Sequence, residues 1–113
     1  KIQLEKFYKK FGKEYALIKS EEYAKLINKS FNRISIKDVN TRWGSCSIKN
    51  NLNYNFRLFM APKKVVDYVI AHEVAHLTHK NHSKDFWGLV KQIYPNYEFC
   101  RKWLKKNGHM LSL

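Results

Sequence analysis

The chain has little that punctuates or staples it. Of its 113 residues, two are cysteine, two proline and four glycine. Two lone cysteines, Cys46 and Cys100, make no disulfide framework, so a small disulfide-held secreted scaffold is excluded and a reducing cytoplasm is expected. No apolar run approaches the roughly 20 residues needed to cross a bilayer, and no signal-peptide pattern is visible, so no membrane partner is expected. The sequence opens on Lys1 without an initiator methionine, which suggests the C-terminal part or a processed piece of a longer chain. Acidic residues are scarce as well: nine Asp and Glu against 22 Lys and Arg leave a formal charge of +13. A field of that size attracts anionic partners, so DNA binding through a basic surface enters as an alternative. The lysines are dispersed, however, and no sequence-reading module or glycine-rich phosphate loop accompanies them.

What is present is a packable chain. A hydrophobic fraction of 44% with 15% aromatics fits one folded domain over residues 1–113, without internal repeats or a linker. Its organising stretch is His72-Glu73-Val74-Ala75-His76. Residues four apart share a helix face, so His72 and His76 can reach one metal ion. Glu73 can then reach a water on that metal without being a ligand, as a general base does. The motif carries weight only on a helix. Ala61-Pro62 opens the segment, Val65, Val66, Val69, Ile70, Val74 and Leu77 recur at helical spacing, and no glycine or proline interrupts from Lys63 to Lys80. Two histidines and a glutamate on such an apolar helix need partners, and one Zn²⁺ would satisfy all three.

A third ligand would leave one open position, the catalytic arrangement of zinc. His79 and His82 compete for it. His82 is preferred, because Lys80-Asn81 allows a turn and a ligand beyond it completes a tetrahedron from another direction. Cys46 is a chemically possible ligand but reads as a small buried strand residue, since a thiolate in the fourth place would displace the water. His109 reads as a tail residue.

The flanking chain predicts an α+β fold. Residues 2 to about 28 read as helix, with Leu4, Tyr8, Phe11, Tyr15 and Ile18 as an apolar stripe. Ser20 before Glu21-Glu22 reads as a new N-cap, so two helices with a break near Lys19 are expected. Ile34 and Ile36, then Ser45 to Ile48, then Leu52, Tyr54, Phe56 and Leu58 alternate as three strands, the last two a hairpin across Lys49-Asn50-Asn51. They form a small antiparallel or mixed sheet leading into the metal helix. Two C-terminal helices follow, capped by Ser83 and by Asn96, with Tyr94-Pro95 between them and Gly108 as the final stop. Gly44 permits a tight turn or bulge. Arg42, Gly44, Ser45 and Cys46 are candidate substrate-binding residues, because an extended peptide binds well by adding to a sheet edge. Arg42 and Trp43 can equally be an ion-pair partner and a core plug.

Three segments make the chain recognisable: Thr41-Arg42-Trp43-Gly44-Ser45-Cys46-Ser47, then Tyr68 to Leu77 around the two histidines, then Asn81-His82-Ser83-Lys84-Asp85-Phe86-Trp87. With Leu52-Asn53 and Ala61-Pro62 they resemble the YgjP-like family of zinc metallopeptidases over residues 41–87, and more loosely through Pro95 and Trp103-Leu104. The resemblance implies a zincin-like fold, His72, His76 and His82 as ligands of one Zn²⁺, Glu73 as catalytic base, and a peptide or protein substrate. It also implies kinship with the SprT-like and WLM proteases, some of which act on DNA-bound proteins. The spacing of His76 and His82 is also similar to that of metzincins. Their intervening glycine is replaced by His79, and Met110 is a poor match to their methionine turn.

Overall fold

The computed structural model describes residues 2–39 and 41–108; His109 and Met110 lie outside them. Helix α1 (Ile2–Leu26) leads into strand β1 (Arg33–Lys37), then β2 (Gly44–Cys46) and β3 (Asn51–Asn55). A 3-10 segment, Phe56–Met60, follows, then α2 (Lys63–Ala75), α3 (Lys84–Ile93) and α4 (Tyr97–Asn107). The sheet order is β1-β3-β2. β2 and β3 form the expected antiparallel hairpin, with Ser45 opposite Asn53, while β1 runs parallel to β3, with Ile34 opposite Leu52. The sheet is therefore mixed, and β2 is an edge strand. Among the described residues, no helix is long and apolar enough to cross a membrane.

Two expectations about α1 are corrected. There is one continuous helix, and Ser20 caps nothing: it is fully buried, its hydroxyl 3.1 Å from that of Tyr54 on β3. A buried hydroxyl with a tertiary partner has no need of a helix end. The apolar stripe is not the packed face either, since Leu4, Phe11 and Ile18 are exposed. The packed face is the line of small residues Gly12, Ala16, Ser20 and Ala24, four apart, joined by Tyr23. Small residues let α1 approach closely: a Cβ on Gly12 would stand 2.5 Å from the Phe59 ring. Residue size, which periodicity ignores, decided the rotation of the helix.

β3 ends at Asn55, so Phe56 and Leu58 do not continue the alternation. They are buried in the 3-10 segment, which Asn55 caps by accepting from the Arg57 N–H at 3.0 Å. The Asn55 amide also donates to the carbonyls of Val39, at 2.7 Å, and Arg42, at 3.2 Å. One buried side chain thus ends the strand and anchors the loop that enters β2. Asn96 begins α4 without a side-chain cap bond, whereas Ser83 caps α3 as expected, accepting from the Phe86 N–H at 3.2 Å.

The core lies between α2 and its two covers, the sheet with α1 and the pair α3 and α4. Val65, Ile70, Val74, Leu52, Leu58, Phe86, Val90 and Cys100 are sealed from water. Behind α2, the buried Asp67 accepts a hydrogen bond from Tyr15. Burial raises the phenols of Tyr15, Tyr23 and Tyr54, and pushes those of Tyr68 and Tyr94 up to about 12. Each fold-state pKa stands above the unfolded value of about 10. The phenols therefore favour the fold fully below pH 10, and that contribution is lost as pH rises through the folded values. The urea midpoint should hold up to about pH 9.5 and fall steeply between 10 and 12, with tyrosinate absorbance rising at unfolding. A midpoint flat to pH 12 would contradict this.

Candidate metal centre

Helix α2 has no interruption until its last turn. His72 and Glu73 lie within it, and His76 is its C-cap, with its N–H directed to the carbonyls of Glu73 and Val74. The helix is thus shorter than the uninterrupted run to Lys80 suggested. The chain bends after His76 and returns through Asn81 to the N-cap of α3, and that return delivers His82.

Three imidazoles meet there. Ring centroids of His72 and His76 are 5.0 Å apart, those of His72 and His82 5.2 Å, and those of His76 and His82 4.9 Å. One nitrogen from each lies within 4.8 Å of the other two, a set that could hold a metal ion. Nitrogens bound at about 2.1 Å to one tetrahedral ion stand roughly 3.4 Å apart, so small ring rotations would complete the grip. Zinc suits three neutral imidazoles. His79 is not in this group. Its backbone carbonyl instead lies 2.8 Å from His76 Nδ1, which places the proton on Nδ1 and leaves Nε2 as the free donor. Burial lowers the pKa of His76, favouring the neutral form that binds metal.

Glu73 is 6% exposed, with Oε2 3.2 Å from His72 Nδ1. Its side chain lies against β2: a Cβ on Gly44 would stand 3.0 Å from Glu73 Cγ and 3.1 Å from the Asn53 carbonyl. Gly44 therefore answers a close approach, and its φ is not positive. An open cleft of about 220 Å³ begins at this end of β2, with Arg42, Gly44 and Ser45 in its lining. Ser45 is joined to Asn53 across the hairpin at 3.2 Å. Arg42 is exposed and makes no ion pair among the described residues. Trp43 is half-buried with its indole against Gly108, where a Cβ would stand 3.3 Å from it. Cys46 is half-buried; burial raises its thiol pKa, opposed by the nearby Lys80.

Phe86 and Trp87 belong to the segment from Asn81 to Trp87, but that segment assigned them no place at the trio. Phe86 is sealed from water and touches every ring: its centroid is 4.3 Å from His76, 5.0 Å from His72 and 5.1 Å from His82. Trp87 stands 5.5 Å from His72. Lys80, at the bend, donates to the Ser47 carbonyl at 3.2 Å and reaches Asn50, so it ties the bend to the β2–β3 turn.

The profile of the YgjP-like, metallopeptidase domain family matches residues 1–107. The chain belongs to the YgjP-like family. This YgjP-like domain is thereby a metallopeptidase domain, a hydrolase of the metal-dependent class acting on peptides or proteins. The fold agrees: the crystal structure of the metallopeptidase zymogen of Pyrococcus abyssi abylysin superposes with a TM-score of 0.70 at 17% identity, over 80% of this chain and 93% of that one. The α+β architecture, with four helices and a small mixed sheet, is similar to a zincin-like fold. Comparison with curated proteins gives no significant match.

Proposed function

We propose that this YgjP-like domain is a zinc-dependent peptidase in which His72, His76 and His82 hold the ion and Glu73 is the general base. The convergence of three imidazoles beside a buried carboxylate carries the reading. Bound zinc would supply an acidified water and a Lewis acid for the scissile carbonyl. The chain's own groups do the rest. Glu73 Oε2 accepts the proton from the attacking water and returns it to the leaving nitrogen. The His79 carbonyl fixes the tautomer of His76. The free edge of β2, at Gly44, Ser45 and Cys46, pairs with the extended substrate backbone, and Arg42 borders the same cleft. A small residue at 44 lets that backbone pass close to Glu73.

The alternatives are a zinc-stabilised nucleic-acid adaptor, which rests on the net charge of +13, and a protease acting on DNA-bound proteins, which rests on that charge and on the resemblance to SprT-like and WLM proteases. Zinc-loaded protein should degrade an unfolded protein substrate, lose at least about a hundredfold in rate after chelation, and recover with one equivalent of zinc per chain. Cleavage indifferent to chelation would overturn the metal mechanism. Salt-sensitive DNA binding with no metal-dependent cleavage would favour the adaptor.

A further inference from the structure

Arg101 has no counterion among the described residues and stacks on an indole that contacts the trio. Trp87, on α3, lies 5.5 Å from His72 and 6.1 Å from His82, its indole inclined by 28° to the latter ring. Tyr97 on α4 stacks on the same indole at 5.6 Å. One turn further along α4, the Arg101 guanidinium carbon stands 4.3 Å from the indole centroid. Arg101 is exposed and makes no ion pair among the described residues, not even with Glu98 one turn before it.

A guanidinium laid on an aromatic face keeps its in-plane N–H groups free, and the stacking holds the fork in place. Those donors match a carboxylate in a bidentate pair. Trp87 is the link between this fork and the imidazoles, since one indole contacts His72, His82 and the guanidinium. We propose that Arg101, on the platform of Trp87 and Tyr97, is a carboxylate-binding subsite that selects substrates bearing an anionic group near the scissile bond. That group is either a free C-terminus or an Asp or Glu side chain. The inference rests on the peptidase reading in taking the trio as the point of cleavage.

The test uses zinc-loaded Glu73→Gln protein, so that bound peptide survives, and fluorescence anisotropy of labelled peptides sharing one apolar core. One arm compares a free with an amidated C-terminus, the other an internal Asp with Asn. At least one carboxylate-bearing peptide should bind about five- to tenfold more tightly than its neutral twin, the range of an ion pair open to solvent on one side. Arg101→Gln should erase that preference while neutral peptides bind as before, and Arg101→Lys should restore part of it. An unchanged preference in Arg101→Gln, no preference in the starting protein, or no peptide binding at all overturns the proposal. Parallel turnover by protein retaining Glu73 separates the two readings. Equal cleavage of acidic and neutral peptides leaves the peptidase standing without the subsite. An Arg101-dependent preference without any cleavage leaves the subsite standing without the peptidase.

Discussion

Glu73→Gln should lower the hydrolysis of an unfolded protein by about a thousandfold or more, with zinc content and thermal midpoint within error of the starting protein. Glutamine matches glutamate in shape, and shape is what this position demands. The carboxylate is 6% exposed and lies against the Gly44 backbone, where a Cβ would come within 3.0 Å of Glu73 Cγ. The amide oxygen can face His72 Nδ1 as Oε2 does, so the imidazoles stay in place. What disappears is the capacity to take a proton, and a general base contributes roughly 10²- to 10⁴-fold. The measurement is turnover alongside zinc per chain and a melting curve. Activity within about fivefold of the starting protein, with zinc retained, would remove Glu73 from the base role.

Phe86→Ala should be the most damaging substitution for stability around the site, costing about 3–5 kcal/mol. The ring is sealed from water and is the surface that His72, His76 and His82 share. Removing it leaves a cavity whose walls are three polar rings poorly able to collapse into it. Against a total of about 5–15 kcal/mol for a domain of this kind, the melting midpoint should fall by roughly 10–20 °C. Metal affinity should fall as well. The three imidazoles lose the ring they pack on, whereas the Phe86 N–H bond to Ser83 is donated by the main chain and survives the substitution. Calorimetry with and without zinc reads both effects. A loss under about 1 kcal/mol would mean that the ring is not the support assigned to it.

Helix α2 and the three converging imidazoles were visible in the sequence because both are local. Spacing of four on a helix needs no tertiary knowledge, and His82 needed one bend. The hairpin was legible in the alternation of Leu52 and Tyr54. The face of α1 was not, because its packing follows from which residues are small enough to approach Phe59 and β1, and Leu4, Phe7 and Phe11 outweigh Gly12 and Ala16 in any count of hydrophobicity. Asn55 defeated the alternation for a similar reason: it ends β3 by bonding a loop far back in the chain. The parallel pairing of β1 with β3 is likewise a contact between segments distant in the chain, which no local pattern encodes. Arg101 is 19 residues beyond His82 in the numbering and left no sign of its place beside Trp87.

The oxygen that meets His76 Nδ1 belongs to the main chain of residue 79, not to its imidazole. Every amino acid carries that oxygen. The side chain at position 79 is therefore open to exchange, proline excepted because the N–H of that residue bonds the Ala75 carbonyl at 3.1 Å, while the number of residues in the bend is not. A lineage can vary the group displayed there to suit its surroundings, provided the loop keeps its length.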